Sequence, residues 1–313
     1  MKNFMIILIC ITIVLTVSLG SFAATGDKKT IGLVNINLQA LFFNQVYDGA
    51  KKAAQENNVN LIHVDPTSDI TKQINGIENL IQQKVDAIIL LAIDVNAVLP
   101  VIEDAKKAGI PVIAIDAKVK VPPAACFIGV DNYGAGIQAG EFTVNYIKEN
   151  MGGKAKVGIV GALNSFIQNQ RRDGFLKAIQ EEKDIEIVGT VDGQNVQEVA
   201  MSAAENLVTA NPSMNIIYAT GEPALLGAVA AVKAGGYENK VKIVGWDLQK
   251  QVIQGIDEGF VVGVVQQNPY EEGYQAVFTA LKLNAGEKIS EDTLIPITIV
   301  TKENVDKYRD TFK

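Results

Sequence analysis

Short β-branched runs alternate with stretches whose apolar residues recur at helical spacing, and this alternation restricts the chain to few architectures. Ile31-Gly32-Leu33-Val34 precedes Phe43, Val46, Ala50 and Ala53. Asn60-Leu61-Ile62-His63-Val64 precedes Ile70, Ile74, Ile77 and Ile81, and Ala87-Ile88-Ile89-Leu90-Leu91 precedes Val98, Val101, Ala105 and Ala108. Pro111-Val112-Ile113-Ala114-Ile115 and Phe127-Ile128-Gly129-Val130 complete a first series. Strands that are apolar throughout belong to parallel sheets covered on both faces. Repeated strand–helix order winds them into an α/β domain.

The series restarts after Gly152-Gly153. Val157 to Val160, Ile185 to Val188, Asn215 to Tyr218, Val241 to Val244, Val261 to Val265 and Ile295 to Val300 read as strands with helices between them. The expected fold is therefore α/β, with two similar doubly wound parallel-sheet lobes. No Pro- or Ser-rich linker lies between them, so short crossings suited to hinge closure are expected.

The N-terminus reads separately. Lys2 precedes an apolar run from Phe4 to Leu19, followed by Gly20 and Ser21-Phe22-Ala23. A positive start, an apolar stretch and small residues at 21 and 23 predict a secretory signal over residues 1–23, cleaved after Ala23. Thr12, Thr16 and Ser18 dilute the run, which argues against a retained membrane anchor of about 18–20 apolar residues. Cys10 lies inside the run after Ile9, not at its end after a small residue, so lipidation is not expected. Cys126 is then the one cysteine of the mature chain, without an internal disulfide partner, and reads as a buried small hydrophobe.

Composition excludes several functions. The 313 residues carry a formal charge of −7, with one His and two Cys. An acidic chain has no footprint for nucleic acid. One histidine, His63 inside an apolar strand, leaves little room for Ser-His or Cys-His catalysis and reads as a satisfied core residue. No phosphate-binding Gly-rich loop occurs. No calcium loop of alternating Asp and Asn ligands occurs either, so neither a metal nor a cofactor is expected.

Several residue groups, taken in order, resemble one family. They are Ile31-Gly32-Leu33-Val34 with Phe42-Phe43 and Asp48-Gly49-Ala50; Gly109-Ile110-Pro111-Val112-Ile113 with Asp116; and Gly129-Val130-Asp131-Asn132 with Gly136 and Ala139-Gly140. Arg171 with Gly174-Phe175, Val244-Gly245-Trp246-Asp247, and Gln267 with Pro269 follow. Across the mature chain this resembles periplasmic sugar-binding proteins of the ribose-binding type, the soluble receptors of ABC importers. The resemblance implies a three-crossing hinge, with crossings near Asp131, Gln267 and Ile297. It divides the chain into lobe 1, residues 24–130 plus 268–296, and lobe 2, residues 131–267 plus 297–313. It also implies a periplasmic monomer that captures a monosaccharide or small polyol without turnover and presents it to a membrane permease. A sensory role, reporting to a chemoreceptor or sensor kinase, is the alternative.

Ligands of open α/β sheets bind beyond the carboxyl ends of the strands. Asp116 follows Ile113-Ala114-Ile115 and Asp247 follows Val244-Gly245-Trp246, so both carboxylates are expected there, each able to accept hydroxyl hydrogen bonds. Arg171 offers a fork of donors and is expected to lower the pKa of both acids. Phe42, Phe43 and Trp246 are candidate flat faces for the C–H side of a sugar ring. Of the adjacent Phe42 and Phe43, at most one is expected to point into the packed face of its helix. Gln267 is expected to serve one hydroxyl. Asn37, Gln39, Asn195 and Glu222 are further candidates, and Asp131 and Asn132 are expected to be structural hinge residues.

The chain also departs from the ribose-binding pattern. Ile36 and Ala40 stand where small polar side chains are usual, Leu91 replaces an Asn and Ala117 replaces an Arg. Asn195 falls near an aromatic position, and a second-lobe Asn falls at Gly221 beside Glu222. A site built to pair hydroxyls rejects ligands that lack them, and the converse holds. The expected ligand is therefore smaller, more reduced or less hydroxylated than ribose, although Asn35, Asn37, Gln39 and Gln168 could supply replacement groups.

Overall fold

The computed structural model describes residues 28–312 apart from 121 and 123, so the predicted signal segment and Cys10 lie outside the described residues. The apolar runs form strands close to their expected bounds. The first half contains β1 (Thr30–Val34), α1 (Leu41–Glu56), β2 (Asn60–Val64), α2 (Ile70–Gln82), β3 (Ala87–Leu90), α3 (Leu99–Lys107), β4 (Val112–Ile115) and β5 (Cys126–Gly129). The second series contains α4 (Asn132–Asn150), β6 (Ala155–Gly161), α5 (Phe166–Ile179), β7 (Ile185–Asp192), α6 (Gln197–Ala210) and β8 (Ile216–Ala219). It continues with α7 (Glu222–Ala234), β9 (Lys242–Trp246), α8 (Lys250–Glu258) and β10 (Val261–Gln266). The chain ends with α9 (Pro269–Asn284), β11 (Asp292–Leu294) and β12 (Thr298–Val300).

Two six-stranded sheets result, ordered β11-β5-β4-β3-β1-β2 and β12-β10-β9-β8-β6-β7. The first is parallel at every pairing. In the second, only β12 runs antiparallel, against β10. The run expected as a single strand from Ile295 to Val300 is thus corrected. Its end is β12 of the second sheet, whereas the unexpected β11 just before it pairs with β5 of the first. The chain passes between sheets three times: after β5, after β10 and between β11 and β12.

Each sheet is buried on both faces, as the unbroken apolar strands require. In the first, Ile31, Leu33, Ile89, Ile113 and Ile128 face α1 and α9. Their strand neighbours Ile88, Leu90, Val112 and Ala114 face α2 and α3. In the second, Val157, Ile159, Tyr218, Val244 and Trp246 pack toward α4 and α5. Ile217, Ala219, Ile243 and Val264 pack toward α6, α7 and α8.

A glycine crossing sets one helix pair in each lobe. On α1 and α9, a Cβ at Gly49 would collide with the Tyr270 carbonyl, and one at Gly273 with the Val46 carbonyl. On α4 and α5, a Cβ at Gly136 would meet the Arg171 carbonyl, and one at Gly174 the Tyr133 carbonyl. In both pairs one helix, α9 or α4, begins directly after a crossing between the sheets. Backbone-to-backbone packing therefore fixes the helices that flank the cleft.

Cys126 is fully buried in the first core, and burial pushes its thiol up to about 11. His63 corrects expectation. Its ring lies 4.4 Å from that of Tyr47, but buried Nε2 has no hydrogen-bond partner. Burial lowers its pKa, which keeps the ring neutral and limits the cost of the missing bond.

Candidate functional site

Asp116 and Asp247 occupy matching positions. Each follows the third strand of its sheet order, β4 or β9, and each adopts a left-handed backbone, with φ of 63° and 67°. Aspartate tolerates this region better than most side chains. Each backbone N–H still donates across the strand end, Asp116 to the Ile128 carbonyl at 3.1 Å and Asp247 to the Val265 carbonyl at 2.9 Å. Both carboxylates thereby enter one cavity of about 300 Å³ between the lobes.

Lobe 1 contributes Ala40, Phe42, Phe43 and Gln45 to this cavity, besides Asp116. The two phenylalanine rings meet edge to face at 87°, with centroids 5.6 Å apart. Both line the cavity while packing against the edge of the lobe 1 core, so both contribute apolar surface despite being adjacent. Gln168, Arg171, Asn195, Gly221, Glu222, Asp247 and Gln267 line the remainder.

Arg171 is buried and held on three sides. Its Nε donates to Asn132 Oδ1 at 2.8 Å and its Nη1 to the Thr220 carbonyl at 3.3 Å. Its guanidinium lies 3.7 Å from the centre of the Trp246 ring. Trp246 therefore does not offer its face to a ligand, which corrects the expected role. The period of two along β9 places it beside Val244 on the α4–α5 face. There its Nε1 donates to the Tyr218 hydroxyl at 2.8 Å, and its ring supports the guanidinium from behind.

Asn132 is thus more than a structural hinge residue, because it orients Arg171. Asp131 does cap α4, accepting a bond from the Gly134 N–H at 2.9 Å. Gln267 donates to both Asp247 oxygens, at 2.9 and 3.2 Å, so its amide fixes the carboxylate as well as facing the cavity. Asn195 accepts from Gln168 Nε2 at 2.8 Å. Asn37 and Gln39 lie outside the cavity lining. The Asn37 side chain instead caps the turn, accepting from the Gln39 and Ala40 N–H groups, and Gln39 is exposed.

Gln168 links three strand ends. Its Oε1 accepts from the Ala162 N–H and the Thr220 hydroxyl, while its Nε2 reaches Asn195. Its place three residues before Arg171, on the same helix face, was the available sequence signal. Leu41, Pro223, Leu248, Gln249, Gln266, Pro269 and Phe312 also line the cavity and carry no motif of their own.

Arg171 does lower both acids, as expected, but burial outweighs it. Burial pushes Asp116 up to about 6, assisted by nearby Asp247 and only partly opposed by Arg171. Burial also raises Asp247 against the opposing effects of Arg171 and Gln267. Glu222 is raised by burial and by Asp247. Desolvation thus outweighs the single guanidinium, and no described protein group hydrogen-bonds the Asp116 carboxylate. The arrangement suits a compact solute with several donors and an apolar face. Among the described residues, no group of three or more His, Cys, Asp or Glu side chains could hold a metal.

The periplasmic binding protein domain family matches residues 31–288. Over 282 residues the chain is 26% identical to the ribose import binding protein of Bacillus subtilis (strain 168), covering 89% of this chain and 90% of that one. It is 27% identical over 289 residues to the xylitol-binding protein of Mycolicibacterium smegmatis (strain ATCC 700084 / mc(2)155), covering 92% and 81%. A solved periplasmic solute-binding protein of an ABC transporter from Actinobacillus succinogenes 130z, with bound D-allose, is 30% identical. It aligns with a TM-score of 0.79 over 90% of this chain and 100% of that one.

Proposed function

The chain belongs to the periplasmic binding protein domain family, and from that premise we propose that it is the substrate-binding protein of an ABC importer, capturing a monosaccharide or small polyol by hinge closure. The supporting observation is the cavity between the lobes, where Asp116 and Asp247 enter from equivalent strand ends and Arg171 stands with them. Phe42 and Phe43 would cover the apolar face of the solute, and Asn195, Glu222 and Gln267 would complete its polar contacts. Closure follows when one ligand contacts both lobes, because only the closed state gains both sets of contacts.

The binding is expected to proceed without turnover, since the described lining residues hold and orient a solute and include no nucleophile paired with a base. The hinge is assigned between lobe 1, residues 24–130 plus 268–296, and lobe 2, residues 131–267 plus 297–313. Removal of residues 1–23 would release a monomer into the periplasm, where its closed form would engage the membrane permease. The lobe 1 side of the cavity is built mainly from Ala40, Leu41, Phe42 and Phe43, which supply few hydroxyl partners and favour a solute less hydroxylated than ribose.

The test is a thermal-shift screen of the mature protein against pentoses, hexoses, deoxy sugars and polyols. At a hundred times the dissociation constant, a true ligand stabilises the native state by about 2.7 kcal/mol. A clear rise in Tm with a small subset is expected. Micromolar ribose binding with inert polyols and deoxy sugars would overturn the less-hydroxylated reading.

A further inference from the structure

The cleft carries more acid than base. Asp116, Asp247 and Glu222 all line it, and Arg171 is the one cationic side chain among the described lining residues. Arg171 already spends Nε on Asn132 and Nη1 on Thr220, and it makes no direct ion pair with any of these acids. A fourth carboxyl stands behind the wall. Glu272 is fully buried, and neither of its oxygens meets a hydrogen-bond partner. It lies one helical turn beyond the cavity-lining Pro269 on the same face of α9.

An unpartnered carboxyl with no exposure is an expensive feature for a core to keep. Burial holds Glu272 well above the usual carboxylate range, and Asp116 and Asp247 push in the same direction while Arg171 opposes them. Four carboxyls thus share one low-dielectric region with a single, partly committed guanidinium. A neutral polyol can donate hydrogen bonds to the lining acids but brings no charge. Closing the cleft around it would strip water from the acids and leave the imbalance in place. An ammonium group supplies three donors and the missing positive charge together. A metal ion does not fit the need, because the acids do not converge as ligands.

We propose that the ligand of this cleft is a sugar or polyol bearing a protonated amine, seated among Asp116, Asp247 and Glu222, with the buried Glu272 carboxyl behind the wall ionising only once the ammonium is in place. The proposal rests on the solute-binding reading above and narrows it. The hydroxyl-bearing remainder packs against Phe42 and Phe43, and Arg171 keeps its remaining donor atoms for that part.

Calorimetric titration of the mature protein at neutral pH tests this with matched pairs: D-glucosamine and D-glucose, D-galactosamine and D-galactose, 1-amino-1-deoxy-D-sorbitol and D-sorbitol. An amine binding at least about tenfold more tightly than its neutral parent is the expected result. In Glu272→Gln, and separately in Glu222→Gln, that preference falls at least about threefold while the parent's affinity changes less. Equal or tighter binding of the neutral partner overturns the proposal, and so does a preference unchanged in both variants. Binding of neutral sugars or polyols in the wider screen, with every amine inert, overturns the amine and leaves the sugar-binding reading standing. Failure of both sets to bind overturns that reading itself.

Discussion

Asp116 illustrates how a cavity-lining carboxyl, proposed to bind the ligand, sets itself against stability. Its carboxylate is held at a left-handed strand end in a partly dry cleft, with no donor among the described residues to replace lost water. An unfolded aspartate releases its proton near 3.8, whereas burial delays this to about 6 in the fold. The native state therefore binds more protons than the unfolded one across that window, and stability falls as pH rises through it. The loss is complete above about 6 and amounts to at most about 3 kcal/mol. Asn tolerates the left-handed region as Asp does. Asp116→Asn should therefore raise the Tm of the ligand-free protein at pH 7.5, flatten its rise between pH 7.5 and 4.5, and abolish the ligand-induced shift. A thermal melt series over pH, with and without ligand, reads all three. A ligand-free Tm below that of the parent would refute the argument.

Among the elements, the glycine crossings transmit helix position to the site. Arg171 lies one turn before Gly174, where α5 meets the Tyr133 carbonyl of α4. Alanine ordinarily favours a helix over glycine by about 0.5–1 kcal/mol. Forcing a carbon into a packed crossing costs about 1–3 kcal/mol, and here the obstacle is backbone that cannot rotate away. The second effect wins. Gly174→Ala should destabilise the protein by about 1 kcal/mol or more in denaturant titration and should weaken ligand binding by displacing Arg171. Parental stability with parental affinity would show that the crossing has slack.

The elements also mark where sequence reading stopped. The buried strands were legible because a continuous apolar run has few other uses. β11 was not, since Asp292-Thr293-Leu294 is short, partly polar and paired on one side only. Asp116 and Asp247 were legible from their place at strand ends. The role of Trp246 was hidden because its orientation depends on which helix layer its strand face meets. Glu272 looks like any polar residue in a first helical turn. Only the packing of α9 against lobe 1 reveals that its carboxyl has no solvent and no partner.

The whole molecule is two sheets related by design but tied by three crossings, which allows rotation and prevents separation. Arg171 is bonded to Asn132, the first residue of the helix that follows one crossing, so the proposed cationic contact of the ligand is anchored where the chain passes between the sheets. Small-angle scattering should show a smaller radius of gyration with any ligand that raises the Tm, and no change with sugars that leave the Tm alone. A ligand-induced Tm rise at constant radius would indicate a cleft already closed before binding.

Both sheets wait for the same short stretch of chain. The first lacks its outer strand until residues 292–294 are present, and the second lacks its antiparallel edge until residues 298–300 are present. Helix α9, which supplies one half of the lobe 1 glycine crossing, also comes from residues 269–284. A ribosome or a membrane pore delivering this chain from its N-terminus would therefore handle incomplete sheets until residues 292–300 are delivered. Lobe 1 closes its sheet at residues 292–294 and lobe 2 only a few residues later, so delivery from the N-terminus leaves both sheets to be completed late and almost together.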